Sequence, residues 1–132
     1  MRVTVHVDGG SRGNPGPAAA GAIVTGPAGE ILGRSGELIG EATNNVAEYR
    51  GLLLGVSLAR ELGATEVEIF NDSELIAHQV NGRYKVKHAD MKPLHAEALA
   101  ALGAFESWSL TPVRREQNAE ADAIVNETLD AA

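Results

Sequence analysis

An α/β fold built on a five-stranded mixed sheet is the architecture this sequence predicts, and two observations predict it. Near the N-terminus apolar residues alternate with polar ones at a period of two, and after Asn45 that period gives way to stretches with helical spacing separated by two further strand-like runs. A chain of 132 residues is long enough for one domain with its own core and too short for two comfortable ones, so residues 1–132 are expected to form a single domain.

Val3, Val5 and Val7 alternate with Arg2, Thr4, His6 and Asp8, the pattern of a half-buried strand. Asp8 then lies on the face opposite the valines, and the strand is expected to end where Gly9 and Gly10 begin. Residues 18–26 and 30–39 read as the next two strands, joined around Pro27-Ala28-Gly29 as an antiparallel hairpin. From Asn45 to Leu62 the positions Val46, Tyr49, Leu53, Val56 and Leu62 approximate a helical stripe, stopped by Gly63, with Glu48 in the first turn. Val67, Ile69 and Phe70 make a fourth strand with Asp72 just beyond it. Leu75, Ile76 and Val80 suggest a short helix closed by Asn81-Gly82. Asp90 can cap a helix running to about Leu102, with Pro93 tolerated in its first turn. Residues 105–113 offer a fifth strand, and residues 119–131 a last helix with Ala123, Ile124 and Leu129 as apolar contacts. The order βββαβααβα places three antiparallel strands first and adds two parallel ones, with helices on the flanks.

Composition narrows the function. No stretch approaches the ~20 apolar residues of a membrane span, the N-terminus reads as a strand rather than a leader, and the expected location is the cytoplasm. With no cysteine, any metal must be held by oxygen or imidazole, which favours magnesium or manganese over zinc. A formal charge of −7 argues against a generic nucleic-acid binder. The charge is unevenly placed, however: residues 83–95 hold Arg83, Lys85, Lys87 and Lys92 against the single acid Asp90, whereas residues 116–132 hold five acids and no base. A basic strip beside an acidic pocket that cations would neutralise is compatible with a polyanionic substrate.

Four carboxylates, Asp8, Glu48, Asp72 and Asp122, come from four separate segments, each at a strand end or near a helix start. Hard divalent cations need several such oxygens converging from different elements. Each acid also has an ordinary explanation. Asp8-Gly9 could open a turn, Glu48 could close a capping box begun by Asn45, Asp72 could cap a helix, and Asp122 could favour a helix's positive end. As an ordered set the four are harder to dismiss. They are embedded in Asp8-Gly9-Gly10-Ser11-Arg12-Gly13-Asn14-Pro15-Gly16, Thr43-Asn44-Asn45-Val46-Ala47-Glu48, Asp72-Ser73-Glu74-Leu75 and Asn118-Ala119-Glu120-Ala121-Asp122.

With these motifs, in this order and at these spacings, nearly the whole chain resembles the type 1 ribonuclease H family, whose members cut the RNA strand of RNA/DNA hybrids. The resemblance implies the ribonuclease H-like fold, two Mg2+ ions held by Asp8, Glu48, Asp72 and Asp122, with Mn2+ as a substitute, and products ending in 5′-phosphate and 3′-hydroxyl. It implies that Gly10, Ser11, Arg12, Gly13 and Asn14 lie along the RNA strand, and that Thr43, Asn44 and Asn45 meet the hybrid near its minor groove or DNA backbone; helix capping is the alternative for these three. Gly82-Arg83-Tyr84-Lys85-Val86-Lys87-His88 is similar to the compact family variant without the longer basic protrusion, with Lys85 and Lys87 as phosphate contacts or, alternatively, a solvated loop.

Many relatives carry a histidine in the loop before the last aspartate. Here that loop reads Pro112-Val113-Arg114-Arg115-Glu116-Gln117-Asn118, similar to the subgroup with arginine, and Arg115 is the candidate ahead of Arg114. Arginine stays charged and so can attract a phosphate without shuttling protons. His6, His78, His88 and His95 match no catalytic position. The expected protein is a monomeric endonuclease acting on RNA/DNA hybrid, away from membranes. Its rivals are an exonuclease, resolvase or integrase on the same fold, or a hybrid-binding domain without catalysis, which would be expected to have lost one of the acids.

Overall fold

A computed structural model describes Met1–Ala132. Strands β1 (Arg2–Ser11), β2 (Gly16–Thr25) and β3 (Ile31–Ala42) form an antiparallel meander, followed by helix α1 (Asn44–Glu61) and strand β4 (Glu66–Asn71). Helices α2 (Glu74–Val80) and α3 (Lys92–Leu102), strand β5 (Ser107–Pro112), a single 3₁₀ turn (Arg115–Gln117) and helix α4 (Ala119–Asp130) complete the chain. The sheet order is β3-β2-β1-β4-β5, with β4 parallel to both β1 and β5. The βββαβααβα order and the mixed sheet expected from the sequence are therefore the ones observed. No helix is long and apolar enough to cross a membrane.

The core lies between the sheet and helices α1, α2 and α3. Val3, Val5 and Val7 are at most 2% exposed, and burying each contributes roughly 1.5–3 kcal/mol. They pack with Leu52 and Val56 of α1 and with Ile69 of β4. The α1 stripe is rotated slightly from the expected one, since Leu52 rather than Leu53 is fully buried. Helix α4 covers the opposite face. A side chain at Gly21 or Gly36 would meet Ile124, and α4 buries Ala121, Ile124 and Val125 while Ala123 stays exposed, contrary to expectation. One cap differs, since Met91, not Asp90, precedes α3, and of Thr43, Asn44 and Asn45 it is Thr43 that caps α1, accepting the Val46 N–H at 3.3 Å.

The largest departure is that β1 does not end at Asp8. Gly9, Gly10 and Ser11 stay extended, paired with Ala20, Ala19 and Ala18 of β2, so Asp8-Gly9 is no turn. The glycines serve a close approach. A Cβ on Gly9 would overlap the Ala47 carbonyl of α1, and one on Gly51 of α1 would overlap the Asp8 carbonyl. The N-terminal half of α1 thus lies almost directly on the backbone that carries Asp8. Gly9→Ala is expected to cost about 1–3 kcal/mol of stability, the usual penalty for overpacking, as measured by urea denaturation; an unchanged midpoint would contradict this packing.

Candidate active site

The β1–β4 ladder ends at His6/Phe70, two residues before Asp8. Beyond it the strands part, and a crevice opens at the C-terminal end of β4, where parallel sheets place their sites. Asp8 remains fixed on its other side by its β2 partner Gly21. Asp72 follows β4 by one residue, and Glu48 descends from the second turn of α1, not the first, because the helix already starts at Asn44. Glu48 takes no part in a capping box. Its Oε1 accepts the Gly9 N–H at 2.7 Å, a donor freed by the departure of β4.

Ligand oxygens of Asp8, Glu48 and Asp72 lie within 4.8 Å of one another. Asp122, in the first turn of α4, lines the same cleft of about 430 Å3 but stands outside this trio, near Asn126 Nδ2 at 3.4 Å. Hard oxygen donors alone, converging from a strand, a helix and a loop, fit a divalent cation. The electrostatics agree. Burial pushes the Asp8 carboxyl up to about 7, and the charges of Asp72 and Asp122 push the same way against the hydrogen bonds it shares with Glu48 and Gly9. Glu48 is raised well above the ordinary carboxylate range, first by burial and then by Asp8. Without a cation both members of the pair therefore hold a proton more tightly than free carboxylates do.

The glycine-rich segment and the start of α1 form one wall. Gly10, Ser11, Arg12, Asn44 and Asn45 line the cleft; Gly13, Asn14 and Thr43 do not. Asn14 and Thr43 instead shape that wall, since Asn14 Oδ1 accepts the Asn44 N–H at 3.0 Å and Thr43 caps the helix. Asn44 Oδ1 in turn accepts the Ser11 N–H at 2.9 Å, so its NH2 group remains free to donate. Arg12 is drawn toward α4, where it pairs with Asp130 at 2.6 Å. Ser73, not Asp72, caps α2 through the Ile76 N–H at 3.3 Å, which releases the Asp72 carboxylate for the cleft.

Arg115 lines the cleft with its Nε 3.9 Å from Asp72 Oδ2 and its side chain 84% exposed, whereas Arg114 lies outside. The exposed residues Lys85 and Lys87 belong to the loop between α2 and α3. Lys85 lines a separate groove of about 440 Å3 with Tyr84, Lys92 and His95, and neither lysine reaches the acidic cleft. The histidines are elsewhere: His6 stacks on Phe70 and His95 Nε2 meets the Gln79 carbonyl. Sequence reading passed over Asn126, which shares the cleft, and Asn118, which is buried and bonded to the Val7 carbonyl. The signal for Asn118 was present in the motif, as an asparagine four residues before Asp122.

Comparison with known proteins follows the same lines. The profile of the reverse transcriptase-like family matches residues 6–128. A bifunctional protein of Mycobacterium tuberculosis is 47% identical over 133 aligned positions, covering 100% of this chain but 36% of that protein, so the chain spans about a third of that relative's length. The crystal structure of RNase H1 from Halobacterium salinarum superposes with a TM-score of 0.98 at 40% identity, covering 100% of both chains. LC11-RNase H1, isolated from compost by a metagenomic approach and solved in complex with an RNA/DNA hybrid, superposes with a TM-score of 0.93 at 39% identity, covering 98% of this chain and 97% of that one.

The raised carboxyl sets a pH dependence. Between its ordinary value near 4 and about 7 the folded protein holds protons on Asp8 that the unfolded chain releases, so this contribution to metal-free stability falls as pH rises through that window. In chelator at pH 8, Asp8→Asn is expected to melt at least about 3 °C above wild type, the shift that ~1 kcal/mol produces in a chain of this size. That advantage should shrink toward pH 4, and divalent cation should stabilise wild type more than the variant. A wild type that melts above Asp8→Asn in chelator at pH 8, with equal responses to metal, would remove Asp8 from the cluster.

Proposed function

The chain belongs to the type 1 ribonuclease H family, and on that footing we propose that it is a divalent-metal-dependent endonuclease that hydrolyses the RNA strand of RNA/DNA hybrids, giving 5′-phosphate and 3′-hydroxyl ends. The observation that carries this reading is the convergence of Asp8, Glu48 and Asp72 within 4.8 Å in a cleft that Asp122 also lines. In this reading the four carboxylates hold two Mg2+ ions, with Mn2+ able to substitute. When bound, the ions supply an activated water for in-line attack and stabilise the leaving 3′ oxygen.

The chain's own residues would do the rest. Glu48 is oriented by the Gly9 N–H before any ion arrives, so part of the reorganisation is already complete. Asn44 has a free NH2 group facing the cleft and Asn45 stands beside it, suited to acceptors in the minor groove of a hybrid. Gly10, Ser11 and Arg12 form the wall along which the RNA strand would run, with Gly13, Asn14 and Thr43 supporting it. Arg115 would attract the scissile or product phosphate, a task its exposed guanidinium suits because no buried partner must be broken. Lys85 and Lys87 would contact the duplex away from the cut, contributing affinity that weakens with salt.

The test uses matched hybrid, double-stranded RNA and double-stranded DNA, each with magnesium, manganese or chelator. Internal cuts are expected in the RNA of the hybrid only, with the DNA strand intact and no cleavage in chelator; cleavage surviving chelation would reject the reading. Asp72→Asn should lose more than about tenfold in rate, at least ~1.4 kcal/mol of transition-state stabilisation, while still binding hybrid.

Arg115→Ala is expected to slow turnover with its metal dependence unchanged, and Arg114→Ala to have little effect. The reverse pattern would show that the other arginine faces the phosphate.

A further inference from the structure

Asn118 occupies the N-cap position of α4 but does not cap the helix. An asparagine there ordinarily accepts a backbone N–H of the first turn and contributes about 1 kcal/mol. Here the side chain turns into the protein, 1% exposed, and its Nδ2 donates to the Val7 carbonyl at 2.8 Å across 111 residues of sequence. Its Oδ1 is buried without a protein partner, a second local cost. Departures of this kind from local preference concentrate where function requires them.

The Val7 carbonyl is where such a bond matters. Alternate residues of a strand direct their backbone groups to the same edge, so Val7 C=O and Gly9 N–H both belong to the edge of β1 that β4 abandons after His6/Phe70. Asn118 Nδ2 satisfies the first and Glu48 Oε1 the second. Asp8 sits between them. The Asn118 backbone carbonyl, meanwhile, accepts the Asp122 N–H at 3.1 Å. One buried residue thus joins the residue before Asp8 to the backbone of Asp122, the acid that stands outside the preformed trio.

We infer that Asn118 is a positioning residue that registers α4 against β1, holding Asp122 at the distance from Asp8 at which all four carboxylates can share bound cations. The inference rests on the proposed ion site. It assigns Asn118 no contact with substrate or ion, and it predicts that loss of the side chain affects the site through Asp122 alone.

The test is a double-variant cycle of wild type, Asn118→Ala, Asp122→Asn and the combined variant, read by calorimetric titration with Mn2+ and by cleavage kinetics. Asn118→Ala should weaken Mn2+ binding at least about fivefold and lower kcat about tenfold, with KM for hybrid within about twofold of wild type. Added to Asp122→Asn, it should weaken Mn2+ binding no further. Asn118→Ser keeps a donor on a side chain one bond shorter, so it should recover only part of the loss, and it serves alone against wild type if the alanine variant does not fold, with an intermediate loss of Mn2+ affinity expected. Equal losses from Asn118→Ala in both backgrounds, or a fully folded Asn118→Ala with wild-type Mn2+ binding, would overturn the assignment. A wild-type protein that binds no Mn2+ would instead reject the ion site itself.

Discussion

Where the parallel ladder between β1 and β4 stops, at His6 and Phe70, buried backbone groups lose the partners a continued strand would have supplied, and these groups must be satisfied within the protein. The solution shapes the whole site. Glu48 takes the Gly9 N–H and Asn118 takes the Val7 carbonyl, so the side chains that complete the strand edge also bring α1 and α4 to either side of Asp8. Asp72 enters through the space between the strands. The crevice is therefore a consequence of the sheet's topology, and the acids are placed by elements whose positions the hydrophobic core already determines.

Glycine makes that placement possible on the α1 side. Glu48 can reach the edge of β1 only because Gly9 and Gly51 let the helix lie on the strand backbone, where any side chain would overlap a carbonyl. The cost appears in the charges. Crowded carboxylates out of full contact with water resist ionisation, which raises both Asp8 and Glu48. A divalent cation, which the cluster fits, would relieve this strain by taking the place of protons. On the proposed reading, cations at the cleft would match much of its negative charge and so reconcile a net charge of −7 with a polyanionic substrate.

Much of this was legible in the sequence. Alternating valines pointed to β1 and its buried face, the apolar spacing after Asn45 pointed to α1, and the ordered motifs pointed to Asp8, Glu48, Asp72, Asp122 and Arg115, which line one cleft; the contacts of α4 were read only in part, since Ala123 is exposed. What was not legible depended on contacts distant in sequence. Asp8-Gly9-Gly10 has the local signature of a turn, and only pairing with Ala18, Ala19 and Ala20 keeps it extended. Asn14, Thr43 and Asn118 have the side chains of caps or substrate contacts, yet they differ in what they reach: Asn14 braces Asn44, Thr43 caps α1, and Asn118 spans to Val7. The basic strip could be counted from the sequence, but not its separation from the acidic cleft, which depends on how the loop between α2 and α3 folds.

The most direct measurement of the central claim is the number of protons released when the protein binds Mn2+, obtained by calorimetry in buffers of different ionisation enthalpy. If buried carboxylates whose proton affinity is raised, Asp8 to about 7, are the cation's ligands, binding must displace protons, and release should be greater at pH 6 than at pH 8. Binding that releases no protons at either pH would show that the cation is held elsewhere and would contradict the account of the cleft.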